Sequence, residues 1–138
     1  MTTAADRRLL REGTIAAHAI FFPLGATYAA VALPLSVSAM LGMAAIPGLA
    51  TPAGHAHEML FGFTMAVVVG FLFTAGGNWS GRPTPTGWPL AALAALWVAG
   101  RVLVLTPLGW AAAFVNAAFP LAAAIALAIP FIASNNRR

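Results

Sequence analysis

The sequence has no cysteine and no lysine, and only three acidic residues in 138 positions. Without cysteine there are no disulfides and no thiolate metal sites, and cysteine usage says nothing about the redox compartment. Charged residues make up 7% of the chain, against about a quarter in a soluble globular domain, so there is too little polar surface to hold it in water. No phosphate-binding loop, nucleophile triad or carboxylate pair occurs, so no catalytic constellation is evident and enzyme status stays open. There is no internal repeat. Seven arginines against three acids set a net charge of +4, and all but Arg101 gather at the chain ends and in one loop. That distribution marks topology rather than nucleic-acid binding.

What is there is apolar: 61% hydrophobic residues and a mean hydropathy of +0.88. A lipid bilayer is the solvent that suits such a chain. After a basic tail at 1–14, an uncharged run continues to Ile46, well beyond the ~20 residues needed to cross a bilayer. Pro23 and Pro34 narrow the expected first span to about 19–43. A loop rich in Pro and Gly follows, and further spans are expected at about 57–77, 88–105 and 110–133. The arginine pair Arg7-Arg8 faintly resembles a twin-arginine signal. The apolar run is too long for a signal h-region, however, and three more follow, so it reads as an uncleaved first span.

The reading is therefore an all-α, polytopic membrane protein with four transmembrane helices over 15–138. Three arginines in the N-terminal tail, Arg82 in the second loop and two at the C-terminus contrast with none in the first and third loops. The positive-inside rule then puts both termini in the cytoplasm, N-in/C-in. Trp79, Trp88 and Trp110 fall at the interfaces, where an aromatic belt is expected.

The chemistry concentrates in 54–81, GHAHEMLFGFTMAVVVGFLFTAGGNWSG. His55, His57 and Glu58 stand at its mouth, with Pro52 and Gly54 placing His55 in the loop and His57 in the first helical turn. Were both histidines helical, their side chains would lie about 200° apart. In an extended segment they would share a side and could share one ion. Two readings stay open: a metal or haem site, or hydrated interfacial histidines beside a first-turn acid favoured by the helix dipole. Glu58, Gly62, Ala66, Gly70 and Thr74 recur every four residues, a small-residue stripe that lets a second helix approach and turns Glu58 towards it. Arg101 sits about one turn from the outer end of the third span. A guanidinium at the membrane centre costs roughly 2.5–3.5 kcal/mol, so a partner is expected: Glu58 at similar depth, or an anionic group such as a haem propionate. The simpler alternative is a snorkelling Arg101 stacked on Trp97. His18 lies at the opposite end of the bundle, out of reach of the other two histidines. Asn116 is expected to hydrogen-bond to a neighbouring helix.

Four segments, FFPLGATYA (21–29), HAHEMLFGF (55–63), GFLFTAGGNWSG (70–81) and LWVAGR (96–101), occur in an order that resembles the N-terminal third of the NnrS family. That family comprises polytopic bacterial inner-membrane proteins described as containing haem and copper and associated with denitrification, nitric oxide and nitrosative stress. The resemblance implies haem and copper as cofactors, with His55, His57 and Arg101 as cofactor-binding residues and His55, His57 and Glu58 as metal ligands. It implies the lipid bilayer as environment and no nucleic-acid partner. Family members are longer, and SNNRR at 134–138 is similar to the start of the loop leading into their fifth span. The chain is accordingly expected to be part of a larger bundle, completed by further helices or a second chain. Ala53-Gly54 replaces a tryptophan expected before the histidine motif. Two alternatives belong to other classes: a small proton-coupled transporter using Glu58, and a truncated fragment without function.

Overall fold

The structure, a computed structural model, describes residues 16–46 and 48–134. The basic tail and the terminal Arg137 and Arg138, which carry most of the topology argument, lie outside the described residues. Four apolar helices make up the fold: α1 (Ala17–Met40), α2 (Pro52–Ser80), α3 (Trp88–Val104) and α4 (Gly109–Ala133). Three are long and apolar enough to cross a membrane and α3 is a shorter apolar helix. No strand occurs among the described residues. The composition dictates this outcome, because a backbone in hydrocarbon must satisfy its own N–H and C=O groups, and a helix does so within one segment.

The helix ends show where local chemistry decided the boundaries. α1 runs unbroken through Pro23 and Pro34 and stops three residues before the expected 43. Gly42 adopts φ 72°, its N–H reaches the Ala39 carbonyl at 3.1 Å, and the Met43 N–H reaches that of Ser38 at 2.8 Å. This paired closure needs a left-handed residue, which glycine supplies without strain. α2 begins at Pro52 rather than at the expected 57. The Thr51 side chain accepts from the Gly54 N–H at 3.0 Å, and Pro52 at the first helical position has no N–H to leave unsatisfied. A proline that reads as loop punctuation is here the start of the helix, and His55 lies inside it.

α2 is the central element. It packs closely on α1 and on α4, and α3 packs on α4, whereas α1 and α3 meet sparsely. The shared core comprises Phe21, Ala66, Val69, Phe73, Leu90, Trp97, Phe119 and Ala123. Small residues make the α1–α2 approach possible: a Cβ on Gly25 would meet that of Ala66 at 3.2 Å, and one on Gly70 would meet Phe21 and Phe22 at 3.0 Å. Large apolar side chains such as Val31, Phe71, Phe114, Ile125 and Ile132 face outward, as they do where lipid replaces water.

Within α2, Glu58–Thr64 is wound as a π-helix, the Met65 N–H reaching back five residues to the Leu60 carbonyl. In an α-helix four residues overshoot a full turn by about 40°, so residues 58, 62 and 66 would drift around the axis. Slower winding counters that drift, and Glu58, Gly62 and Ala66 are all buried on the inner side. Such segments are rare and frequent at functional sites.

Candidate functional site

All four helices contribute to one polar cluster near the N-terminal end of α2. Glu58 is 1% exposed and Arg101, from α3, is 7% exposed, so both charges have left water. Arg101 Nη1 donates to Glu58 Oε2 at 2.6 Å. The same oxygen accepts from the Tyr28 hydroxyl of α1, and Oε1 accepts from His57 Nδ1 at 2.7 Å. Arg101 Nη2 donates to Asn116 Oδ1 of α4. The guanidinium also lies 5.7 Å from the Tyr28 ring centroid and 6.0 Å from that of Trp97. Trp97 stands edge-on to Tyr28 at 5.6 Å and donates its indole N–H to the Gly62 carbonyl at 3.0 Å. A carboxylate with three donors on two oxygens, facing a guanidinium held on both terminal nitrogens, forms a neutral pair in which the carboxylate is fully hydrogen-bonded. Arg101 thus both pairs with Glu58 and stacks near Trp97.

Gly62 is the position that allows the cluster to close. A Cβ there would run into the Tyr28 ring, with Cδ1 at 2.9 Å and Arg101 Nη1 at 3.2 Å. Glycine lets the phenol and the guanidinium lie directly against the backbone of α2. Two donors stay without a partner, Arg101 Nε and Asn116 Nδ2, both buried.

The histidines point away from one another, as two residues apart in a helix must. His55 Nδ1 lies 3.1 Å from the Ser36 hydroxyl, whose own proton goes to the Leu49 carbonyl at 3.2 Å. Ser36 is therefore the acceptor and His55 carries its proton on Nδ1. His57 likewise gives its Nδ1 proton to Glu58, and its ring stacks on Phe61 at 4.8 Å. In both rings Nε2 is left as the basic nitrogen. Among the described residues no three His, Cys, Asp or Glu side chains gather closely enough to hold a metal together. Glu58 has both oxygens committed. His18 hydrogen-bonds through Nδ1 to Thr74 Oγ1 at 3.1 Å. Thr74 follows His57 by 17 positions, about 25 Å along the axis at 1.5 Å per residue.

Tyr28 and Ser36 are the residues that sequence reasoning did not nominate. A signal existed for the first: it is the single tyrosine of the chain, set within an apolar helix, and a buried phenol needs a partner. Ser36 carried none, since serine in an apolar helix can satisfy itself on its own backbone.

A family model described as "NnrS protein" matches residues 14–138. Nothing among curated proteins and nothing among solved structures matches this chain.

Proposed function

The chain belongs to the NnrS family, and from that premise we propose that it is a membrane protein whose His57 offers a nitrogen ligand to a redox cofactor at the mouth of the bundle. The family is generally associated with haem and copper. The observation that carries the reading is the hydrogen bond from His57 Nδ1 to buried Glu58 at 2.7 Å. A carboxylate behind an imidazole fixes its tautomer, orients the ring and raises the basicity of the other nitrogen, the usual arrangement behind a metal-bound histidine. His57 is half-buried, so part of its ring stays open to a ligand. His55, held on Ser36, is a second imidazole of the same tautomer on another side of the helix.

The donor set fits haem better than a closed copper cage. Haem could be held through one imidazole, whereas a copper site needs several donors around one ion, and the described residues do not gather three. In this reading His57 holds the group, and Glu58 positions His57. Tyr28 and Arg101 keep Glu58 in place. Arg101 is not a free clamp for a propionate, because both terminal nitrogens are engaged. When bound, haem would supply an iron centre able to take a diatomic ligand. Further copper ligands would come from other helices of a larger bundle or from a second chain.

The same reading places the protein in the bacterial inner membrane as a four-span, N-in/C-in chain linked to nitric oxide and nitrosative stress. Arg82 follows the end of α2 that carries Thr74, where His18 of α1 also lies, and the connections beside His57 hold no arginine. The positive-inside rule then turns the His57 mouth outward. An optical spectrum and metal analysis of the purified, haem-supplied chain test the proposal. A Soret band lost in His57→Ala and kept in His55→Ala is the expected result. No bound haem, or identical loss in both variants, refutes the assignment to His57. Protection of cells from a nitric oxide donor by the intact chain and not by His57→Ala tests the physiological link.

A further inference from the structure

Glu58 lies six residues after Pro52 at the start of α2, and Arg101 three residues before Val104 at the end of α3. Charged side chains so near helix ends can extend to water, yet these two are 1% and 7% exposed. Something therefore covers this end of the bundle, and it is the connection between α1 and α2. Among the described residues of 41–51, Leu49 is the only buried one, at 2% exposure, while Gly48 and Thr51 beside it are exposed. Residues 48 and 49 touch all three helices that meet at the Glu58 carboxylate. On α1, the Ser36 hydroxyl donates to the Leu49 carbonyl at 3.2 Å, two turns beyond Tyr28. On α2, the Gly48 carbonyl lies against Gly54 so closely that no Cβ would fit there, one turn before Glu58. On α3, a Cβ on Gly48 would meet the Val104 carbonyl at 3.1 Å, about one turn beyond Arg101. At 1.5 Å per residue these contacts stand about 5–12 Å outside the cluster along the three helices.

The bond to Leu49 depends on a further residue. A serine inside a helix can turn its proton to the carbonyl four residues back, which would leave the loop unheld. Here His55 donates its Nδ1 proton to the Ser36 oxygen at 3.1 Å, and the hydroxyl proton goes to the Leu49 carbonyl. His55 orients Ser36, and Ser36 holds the loop. At its other end the segment is anchored, because Thr51 caps α2 by accepting from the Gly54 N–H at 3.0 Å. One apolar side chain and one chain of hydrogen bonds are a light attachment beside a fixed base.

We propose that residues 48–50 form a lid over the Glu58–Arg101 cluster, with Leu49 as its plug, Ser36 as its latch, His55 as the residue that positions the latch, and Thr51 as the base on which it turns. When the latch releases, Leu49 withdraws, and water and small polar solutes from the aqueous side of the mouth reach the carboxylate and the guanidinium. The lid uses no atom of His57. It therefore stands or falls independently of the cofactor reading.

The test uses thiol labelling. The chain has no cysteine, so Ala32→Cys introduces a single thiol. Ala32 is 3% exposed and stands one turn from both Tyr28 and Ser36 on α1, between the cluster and the lid. In nanodiscs of phosphatidylcholine, a membrane-impermeant trimethylammonium methanethiosulfonate is expected to label it slowly but completely while the lid is intact. Leu49→Ala should raise the rate by roughly tenfold or more. Ser36→Ala and His55→Ala should each raise it about three- to tenfold, the range of one hydrogen bond. His55→Asn keeps an N–H near the position of Nδ1 and should return the rate to its slow value. Ala123→Cys, 4% exposed in α4, should stay slow in every background, which shows that the bundle persists. No labelling of Ala32→Cys beneath the intact lid overturns the proposal, because the segment is then a fixed plug. So do equal rates in all backgrounds. Acceleration at both thiols in every variant overturns it too, since the whole bundle has then loosened.

Discussion

Replacing Glu58 and Arg101 by Gln, singly and together, tests whether the buried pair couples all four helices. Their contact of 2.6 Å joins side chains 1% and 7% exposed. With an effective dielectric of about 20, the attraction at that distance is roughly 332/(20 × 2.6), about 6 kcal/mol. Desolvation of the two ions offsets much of it, so the pair as a whole contributes little net stability. Breaking one half is another matter, because the surviving charge stays buried without its counter-ion. Such losses run to about 3–5 kcal/mol in soluble proteins. Unfolded helices in a membrane also find polar partners, which lowers the figure, and we expect about 2–3 kcal/mol for each single variant. The double variant, Glu58→Gln with Arg101→Gln, carries no charge and should lose no more than one single variant. The coupling is then at least about 2 kcal/mol. Unfolding in mixed micelles, followed by circular dichroism, measures it. Losses that add within about 0.5 kcal/mol would show that the two side chains act separately. A charge swap is a poorer test, because position 58 is ringed by the Tyr28 and His57 donors while Asn116 presents an oxygen to position 101. Glu58→Arg with Arg101→Glu should remain less stable than the neutral double variant.

Gly62→Ala drives a methyl group into the Tyr28 ring and should cost about 1–3 kcal/mol of unfolding free energy. Gly42→Ala meets nothing within 4 Å and should show only the strain of its positive φ, roughly 1–2 kcal/mol. Asn116→Leu leaves Arg101 Nη2 without its acceptor and is expected to lose about 1–3 kcal/mol in the same assay, whereas Asn116→Asp retains an acceptor and should lose less. Ser36→Ala removes the group that fixes the His55 proton on Nδ1, so nitrogen NMR should report a mixed tautomer for His55 and an unchanged one for His57. A shift at both rings would contradict the separation of the two environments.

Part of the candidate site is legible in the sequence itself. The four-residue stripe turned Glu58 inward, and the order of the spans brought Arg101 to its depth. Both follow from helix geometry, which repeats along one chain. The start of α2 was misplaced because Pro52 carries opposite meanings in a loop and at a first helical position, and only the Thr51 cap distinguishes them. The commitment of Glu58 to three donors was not legible either, since it joins residues 30 and 43 positions apart.

The sequence alone determined the solvent and the secondary structure. Long uncharged runs need a bilayer, and a bilayer leaves their backbones no choice but helix. Tertiary structure decided how each helix is rotated about its axis, and with it the chemistry of the mouth. The π-wound turn aims Glu58 at Tyr28, Arg101 and His57 together. Rotation and spacing are set by packing among four helices at once, a property that no single run of residues contains.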